Sequence, residues 1–207
     1  MNSCIAASEA IAPTKPAWRA VYSLGLCVFC LITAEFLPTS LLTPMAASLG
    51  VTEGMAGQAV TATALVALVT GLLITSATKS IDRRWVLMFF SILQIISSLL
   101  VAFAPTLIVL LFGRLLLGVA IGGFWAMSTA TAMRLVPADK VPKALAVIFS
   151  SVSIATVVAA PLGSYLGSLI GWRNVFILCI VPSIVALLWQ LWVLPSMKPE
   201  SSGSLGT

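Results

Sequence analysis

The hydrophobic positions of this chain fall into six long runs separated by short polar stretches. The runs span Val21–Leu42, Ala56–Ala77, Trp85–Ala104, Leu107–Met133, Ala144–Ile170 and Val175–Leu194. Each holds about 20 residues or more, and a helix of that length crosses about 30 Å of hydrocarbon. Membrane-spanning strands would be shorter and would alternate in polarity. The pattern therefore predicts an all-α integral membrane protein with six transmembrane helices.

The polar ends of the chain complete a three-part division. Residues 1–17 are irregular and contain Pro13 and Pro16, which is typical of a short tail, and residues 18–195 form the predicted six-helix bundle. Residues 196–207 are polar and small, so we expect the start of a flexible linker. Trp18, Trp85, Trp172 and Trp192 lie near helix ends, where tryptophan favours the headgroup region of a bilayer.

Composition narrows the class of function. Of 207 residues, 60% are hydrophobic and 8% charged, whereas a soluble domain carries about a quarter charged residues. The chain has no histidine and only six acidic residues, which leaves little material for a zinc site or a hydrolytic triad. We expect neither an enzyme nor a metal site.

The basic residues predict the orientation of the helices. Most lie before helix 1, after helix 2, after helix 4 or after helix 6: Lys15, Arg19, Lys79, Arg83, Arg84, Arg134, Lys140, Lys143 and Lys198. The opposite loops hold only Arg173. Because Lys and Arg mark the cytoplasmic side, both termini are predicted to be cytoplasmic. Scattered in this way, the basic residues orient helices in lipid, and nucleic acid is not an expected partner.

Two charged residues lie inside the apolar runs, Glu35 in helix 1 and Arg114 in helix 4. Each would cost about 2.5–3.5 kcal/mol facing lipid, so both should face protein or water. Counted from the helix midpoints they share a depth, which permits a direct or water-bridged pair. A carboxyl group that loads and releases a proton would serve proton coupling, and a static ion pair that locks two helices is the alternative.

Other intramembrane residues are candidates for substrate contact. Trp125 follows Arg114 by eleven residues, which returns it to nearly the same helix face, and Phe124 lies beside it. An indole there would stack on a planar substrate or simply pack in the core. Thr39, Gln58 and Gln94 are the polar candidates.

Prolines and small residues indicate helices that bend and pack closely. Pro38 and Pro44 are expected to interrupt helix 1, and Pro161, close to Gly163, to interrupt helix 5. Small residues recur every four positions in helices 2, 4 and 5, which allows close backbone approach. The segments IDRRWVL and GWRNVF take equivalent places after helices 2 and 5, as in a three-plus-three inverted repeat.

Three segments resemble signatures of the Major Facilitator Superfamily, in particular its twelve-helix proton-coupled drug antiporters. They are AEFLPTSLLTPMAASLGV, LLFGRLLLGVAIGGFWA and AAPLGSYLGSLIGWRNVF, in which Ala160-Pro161 takes the place of a Gly-Pro bend. The resemblance implies an N-terminal six-helix half and a role in proton transfer for Arg114. It also implies a gating role for Arg83 and Arg84, although Lys79 stands where the family carries an acid.

Within the superfamily, EFLPTSLLTPMA, GGFWAMS and MRLVPADKVPKAL are most similar to the purine ribonucleoside efflux pumps. This likeness implies export of inosine- or guanosine-like compounds across a bacterial inner membrane in exchange for protons. No cofactor is expected, because the chain contains no GxxxxGK[ST] motif for ATP. The alternatives are a multidrug or sugar exporter of the same superfamily and a non-transporting membrane fragment. Since members form their cavity between two halves, the partner is a missing C-terminal half or a second copy.

Overall fold

The computed structural model describes residues 16–78 and 81–197, with all side chains except those of residues 75–77. The helices are α1 Trp18–Ser40, α2 Leu42–Leu49, α3 Glu53–Ala77, α4 Arg83–Ala102, α5 Leu107–Leu135, α6 Val141–Ile170 and α7 Trp172–Val193, with a 3-10 turn at Ala138–Lys140. Within the described residues, six helices are long and apolar enough to cross a membrane. The prediction of six transmembrane helices is confirmed.

Two helices, α3 and α4, begin two or three residues before their hydrophobic runs because a polar residue caps them. The Thr52 hydroxyl accepts a hydrogen bond from the backbone N–H of Met55 at 3.3 Å, so α3 begins at Glu53. The Asp82 carboxylate accepts one from the N–H of Arg84 at 2.9 Å and starts α4. Side-chain oxygens at this position satisfy N–H groups that the helix leaves unpaired.

The prolines have different effects on their helices. Helix α1 continues through Pro38 to Ser40, and α2 follows after a break at Leu41. The interruption expected at Pro161 is not found, because α6 is continuous from Val141 to Ile170. A proline removes one N–H donor, and the intact turns on either side keep such a helix together.

Helix packing follows the symmetry of an inverted repeat. The largest helix interfaces are α3 with α5, α1 with α6, α4 with α5, α4 with α7, and α1 with α7. The membrane helices are α1, α3 and α4 in the first three and α5, α6 and α7 in the last three. Exchanging the two sets maps the α3–α5 interface onto α6–α1 and the α4–α5 interface onto α7–α1. The α4–α7 interface maps onto itself. The contacts thus agree with the predicted three-plus-three arrangement.

The helices differ in how much of their surface the bundle covers. The apolar stretch of α1 is 67% buried, whereas those of α3 and α6 are 11% and 17% buried. The tryptophans divide as well: Trp85 and Trp192 are exposed, but Trp172 is buried and donates from Nε1 to the Ser48 hydroxyl at 2.9 Å. Trp172 thus lies at a helix end as expected, but protein covers its ring and its indole N–H has a partner inside the bundle.

Asp82 binds the chain where it leaves α7. Its carboxylate accepts hydrogen bonds from the Ser196 hydroxyl and from the N–H of Met197 at 2.9 Å. Nearby, Arg84 Nη2 donates to the carbonyl of Leu191 at 2.6 Å. Residues 196–197, assigned to the linker from sequence, are thus bonded to the bundle. Partial burial opposes ionisation of Asp82, but the bonds from Ser196, Arg84 and Met197 outweigh it and lower its pKa.

We expect Asp82→Ala to destabilise the bundle by about 1 kcal/mol at pH 7, because α4 loses its cap. Since the pKa of Asp82 is lowered by folding, its contribution is full above the unfolded pKa of about 3.9 and is lost as pH falls through the folded value. Thermal unfolding of the detergent-solubilised chain should show a difference between variant and parent that shrinks below about pH 4. Ser196→Ala, which removes one of the bonds, is the control with a smaller effect; equal unfolding of Asp82→Ala and parent at pH 7 would contradict the assignment.

Candidate proton-coupling and substrate site

Arg114 lies deep inside the bundle and holds the backbone of α1. It extends from α5 with only 1% of its surface exposed. Its Nη1 donates to the carbonyl of Ala34 at 2.9 Å and its Nη2 to the carbonyl of Glu35 at 3.1 Å. Both bonds involve a charged donor and so are stronger than neutral ones. The guanidinium is therefore anchored by backbone oxygens.

Pro38 explains why one of these carbonyls is available. In a regular helix the carbonyl of Ala34 would accept the N–H of the residue four positions later, which is Pro38 and has none. The Arg114 guanidinium supplies the missing donor. Glu35, Pro38 and Arg114 therefore belong to one site. The role of Pro38 in it is to leave the carbonyl of Ala34 free to accept from Arg114.

The Glu35 carboxylate takes no part in the hydrogen bonds between Arg114 and α1. Its side chain is half-buried, and its charge interacts with that of Arg114. Among the described residues, no hydrogen bond and no ion pair within 4.0 Å involves the carboxylate oxygens. The hydrogen bonds from Arg114 to α1 are thus accepted by backbone carbonyls and not by the acid group. A static ion pair, the alternative from sequence, is not what joins the two helices here.

Thr63 supports the same site from α3, a role that sequence reasoning missed. Its hydroxyl donates to the carbonyl of Ala59 at 2.8 Å and lies 3.2 Å from the carbonyl of Arg114. In the sequence, Thr63 is one of the small residues that recur every four positions in the second membrane helix. Burial beside Arg114 distinguishes Thr63 from the other small residues, and the sequence alone does not show it.

The candidate substrate residues separate into accessible and enclosed groups. Thr39 and Gln58 are exposed, and half-buried Trp125 stacks on Phe149 of α6 at 6.1 Å between ring centroids and 26° between planes. Phe124, in contrast, is 1% exposed in the core. Gln94 is 2% exposed and donates to the Ser183 hydroxyl at 3.2 Å, because a buried amide needs a partner. In this structure Phe124 and Gln94 pack helices and are not open to a substrate.

The candidate gating residues lie at helix contacts. Gly163 faces α1, where an added Cβ would lie 2.7 Å from Leu37 Cδ2 and from Ser40 Oγ. Pro161, two residues earlier, is exposed. Arg83 and Arg84 start α4 beside the end of α7. Lys79, which replaces the family's acid, lies outside the described residues.

The sequence profile of the Major Facilitator Superfamily matches residues 24–207. The chain belongs to the Major Facilitator Superfamily. Among curated relatives, it is 56% identical over 189 residues to the purine ribonucleoside efflux pump NepI of Escherichia coli, covering 91% of this chain and 48% of the relative. The NepI protein of Salmonella paratyphi B is 54% identical over 188 residues, covering 91% and 47%. The chain spans about half the length of these relatives.

Solved structures of the superfamily share the fold at low sequence identity. A bacterial homologue of the human lysosomal transporter Spinster, inward-facing and unoccupied, aligns with a TM-score of 0.78 and 16% identity over 95% of this chain and 47% of its own. The proton:xylose symporter XylE aligns with a TM-score of 0.68 and 15% identity over 87% and 45%. The predicted Major Facilitator bundle and multi-pass membrane character are thus confirmed.

Proposed function

We propose that this chain is the N-terminal half of a proton-coupled antiporter that exports purine ribonucleosides across a bacterial inner membrane. The observation that carries the proposal is the buried Arg114, bonded to the α1 backbone at Glu35 while the Glu35 carboxylate has no hydrogen-bond partner among the described residues. The 56% identity to a pump named for purine ribonucleosides supports the substrate class.

The arrangement suits proton exchange. The fixed Arg114 guanidinium lies near a half-buried carboxyl group that makes no hydrogen bond among the described residues. An acid without fixed hydrogen-bond partners responds to its surroundings, so bound substrate, entering water or a helix movement can decide whether the proton is bound. In the proposed cycle, Glu35 releases its proton inward and takes one from the outer side.

The accessible aromatic pair suits a purine. Trp125 and Phe149 lie nearly parallel on α5 and α6, and an aromatic base stacks readily on such a ring. Thr39 and Gln58 lie about 20 Å nearer the outer side, so in the proposal their hydroxyl and amide groups contact the ribose at a different stage of the cycle. The proposal places substrate between this surface and a second six-helix half or a second copy, with both termini cytoplasmic and the proton gradient as the energy source.

Flux measurements test the proposal. The chain is reconstituted alone and fused to the C-terminal half of the Escherichia coli relative, and labelled inosine, a fluorescent drug and a labelled sugar are offered under a pH gradient. We expect the fused protein to move inosine and to stop when the gradient is collapsed. Drug or sugar movement without inosine movement would favour the broader exporter. A correctly folded fused protein that moves none of the three would favour the non-transporting fragment.

A further inference from the structure

A groove of about 240 Å³ lies between the start of α1 and the end of α7, away from the site described above. It is lined by Arg19, Leu188, Trp189, Trp192 and Val193. All but one of these side chains are apolar or aromatic, and the exception carries a permanent positive charge. The groove therefore offers one cation at the edge of a hydrophobic surface.

Arg19 has no protein partner for its charge among the described residues. It is exposed, and no hydrogen bond or ion pair of the described residues involves its guanidinium. The first turn of α1 holds no acidic residue, and no side chain caps the helix there. The N-terminal end of a helix carries partial positive charge, which adds to that of Arg19. The local field thus attracts an anion.

The tryptophans place the groove at the level of lipid headgroups. Trp192 is 89% exposed and Leu188 is 52% exposed, so the groove opens toward the surroundings of the bundle. Indole rings favour the boundary between headgroups and hydrocarbon. An anion bound by Arg19 would then continue into apolar walls, which suits an amphipathic molecule better than a free ion.

We propose that this groove binds an anionic phospholipid from the leaflet on the Lys- and Arg-rich side of the membrane. The Arg19 guanidinium donates to the lipid phosphate, for which its planar fork of N–H groups is well matched. Trp189, Trp192, Leu188 and Val193 contact the glycerol region and the first acyl carbons. The proposal does not depend on the transported substrate.

Fluorescence quenching tests the site with the complete chain in phosphatidylcholine vesicles. A small fraction of phosphatidylglycerol, brominated near the headgroup end of its acyl chains, is compared with the same fraction of brominated phosphatidylcholine. We expect the anionic lipid to quench more strongly. The excess should disappear when Trp189 and Trp192 are both replaced by Phe. Arg19→Gln should reduce the preference about fivefold, the effect of one basic residue at an anionic surface.

The matched control is Lys140→Gln, which removes one positive charge from the same side and lies outside the groove. It should leave the preference unchanged. The proposal is overturned by equal quenching from the two lipids, by full preference in Arg19→Gln, or by an equal loss in Lys140→Gln, which would indicate diffuse attraction. Competition by inorganic phosphate at constant ionic strength would assign the site to a soluble anion and overturn it too.

Discussion

In the reconstituted fused protein, Glu35→Gln is expected to reduce proton-driven inosine flux to the level of empty vesicles while leaving inosine exchange without a gradient intact. Glutamine keeps the shape of the side chain but binds no exchangeable proton. Because Arg114 is bonded to backbone carbonyls of Ala34 and Glu35, the substitution leaves the contact between α1 and α5 in place. Loss of driven flux would then reflect lost coupling and not a broken interface.

Glu53→Gln provides the matched control for that experiment. Glu53 is an exposed acid in the first turn of α3 and accepts a hydrogen bond from the Thr43 hydroxyl at 2.7 Å. Removing its charge should leave both driven flux and exchange unchanged. If Glu35→Gln retains driven flux, the acid has no part in coupling. If it loses exchange as well, its role is structural.

Gly122→Ala is expected to be the most destabilising methyl addition in the bundle. A Cβ at Gly122 would overlap the carbonyl oxygen of Ala67 and lie 2.8 Å from the backbone nitrogen of Gly71. Those atoms belong to the α3 backbone, which cannot turn aside as a side chain can, so α3 and α5 must separate. Overpacking of this kind costs about 1–3 kcal/mol. The midpoint temperature of thermal unfolding in detergent should fall by about 4–8 °C if the free energy of unfolding falls by about 2 kcal/mol.

The control is Gly57→Ala, also within a helix but with no neighbouring atom within 4 Å of the added Cβ. Alanine is a better helix former than glycine, so Gly57→Ala should keep or slightly raise stability. Equal unfolding temperatures for Gly122→Ala and Gly57→Ala would show that the close approach of α3 and α5 is not needed.

The sequence predicted the membrane helices well because lipid imposes one strong requirement. Every backbone polar group must be bonded within the segment, so a long apolar run leaves helix as the solution. Helix starts were less accurate, since Thr52 and Asp82 cap α3 and α4 outside the hydrophobic runs. Capping depends on single polar side chains that hydropathy does not register.

The candidate site was predicted in position but not in its contacts. The cost of charge in lipid identified Glu35 and Arg114. Periodicity could not show that Arg114 donates to the carbonyl of Ala34, which Pro38 leaves unpaired. That bond joins residues on two helices that are 80 positions apart in the sequence. Gln94 shows the same limit: an intramembrane amide is a polar candidate in sequence, and only the fold reveals its partner Ser183.

The hydrogen bonds from Arg114 to α1 restrict how α1 and α5 can move relative to each other. Sliding α1 past α5 would break both charge-assisted hydrogen bonds of the Arg114 guanidinium. The guanidinium is buried, so little water is present to replace the lost acceptors. A motion that keeps both hydrogen bonds is a tilt of all six helices together as one rigid body. If the chain transports as proposed, this half would move as a rigid block, with the contact between Arg114 and α1 kept intact.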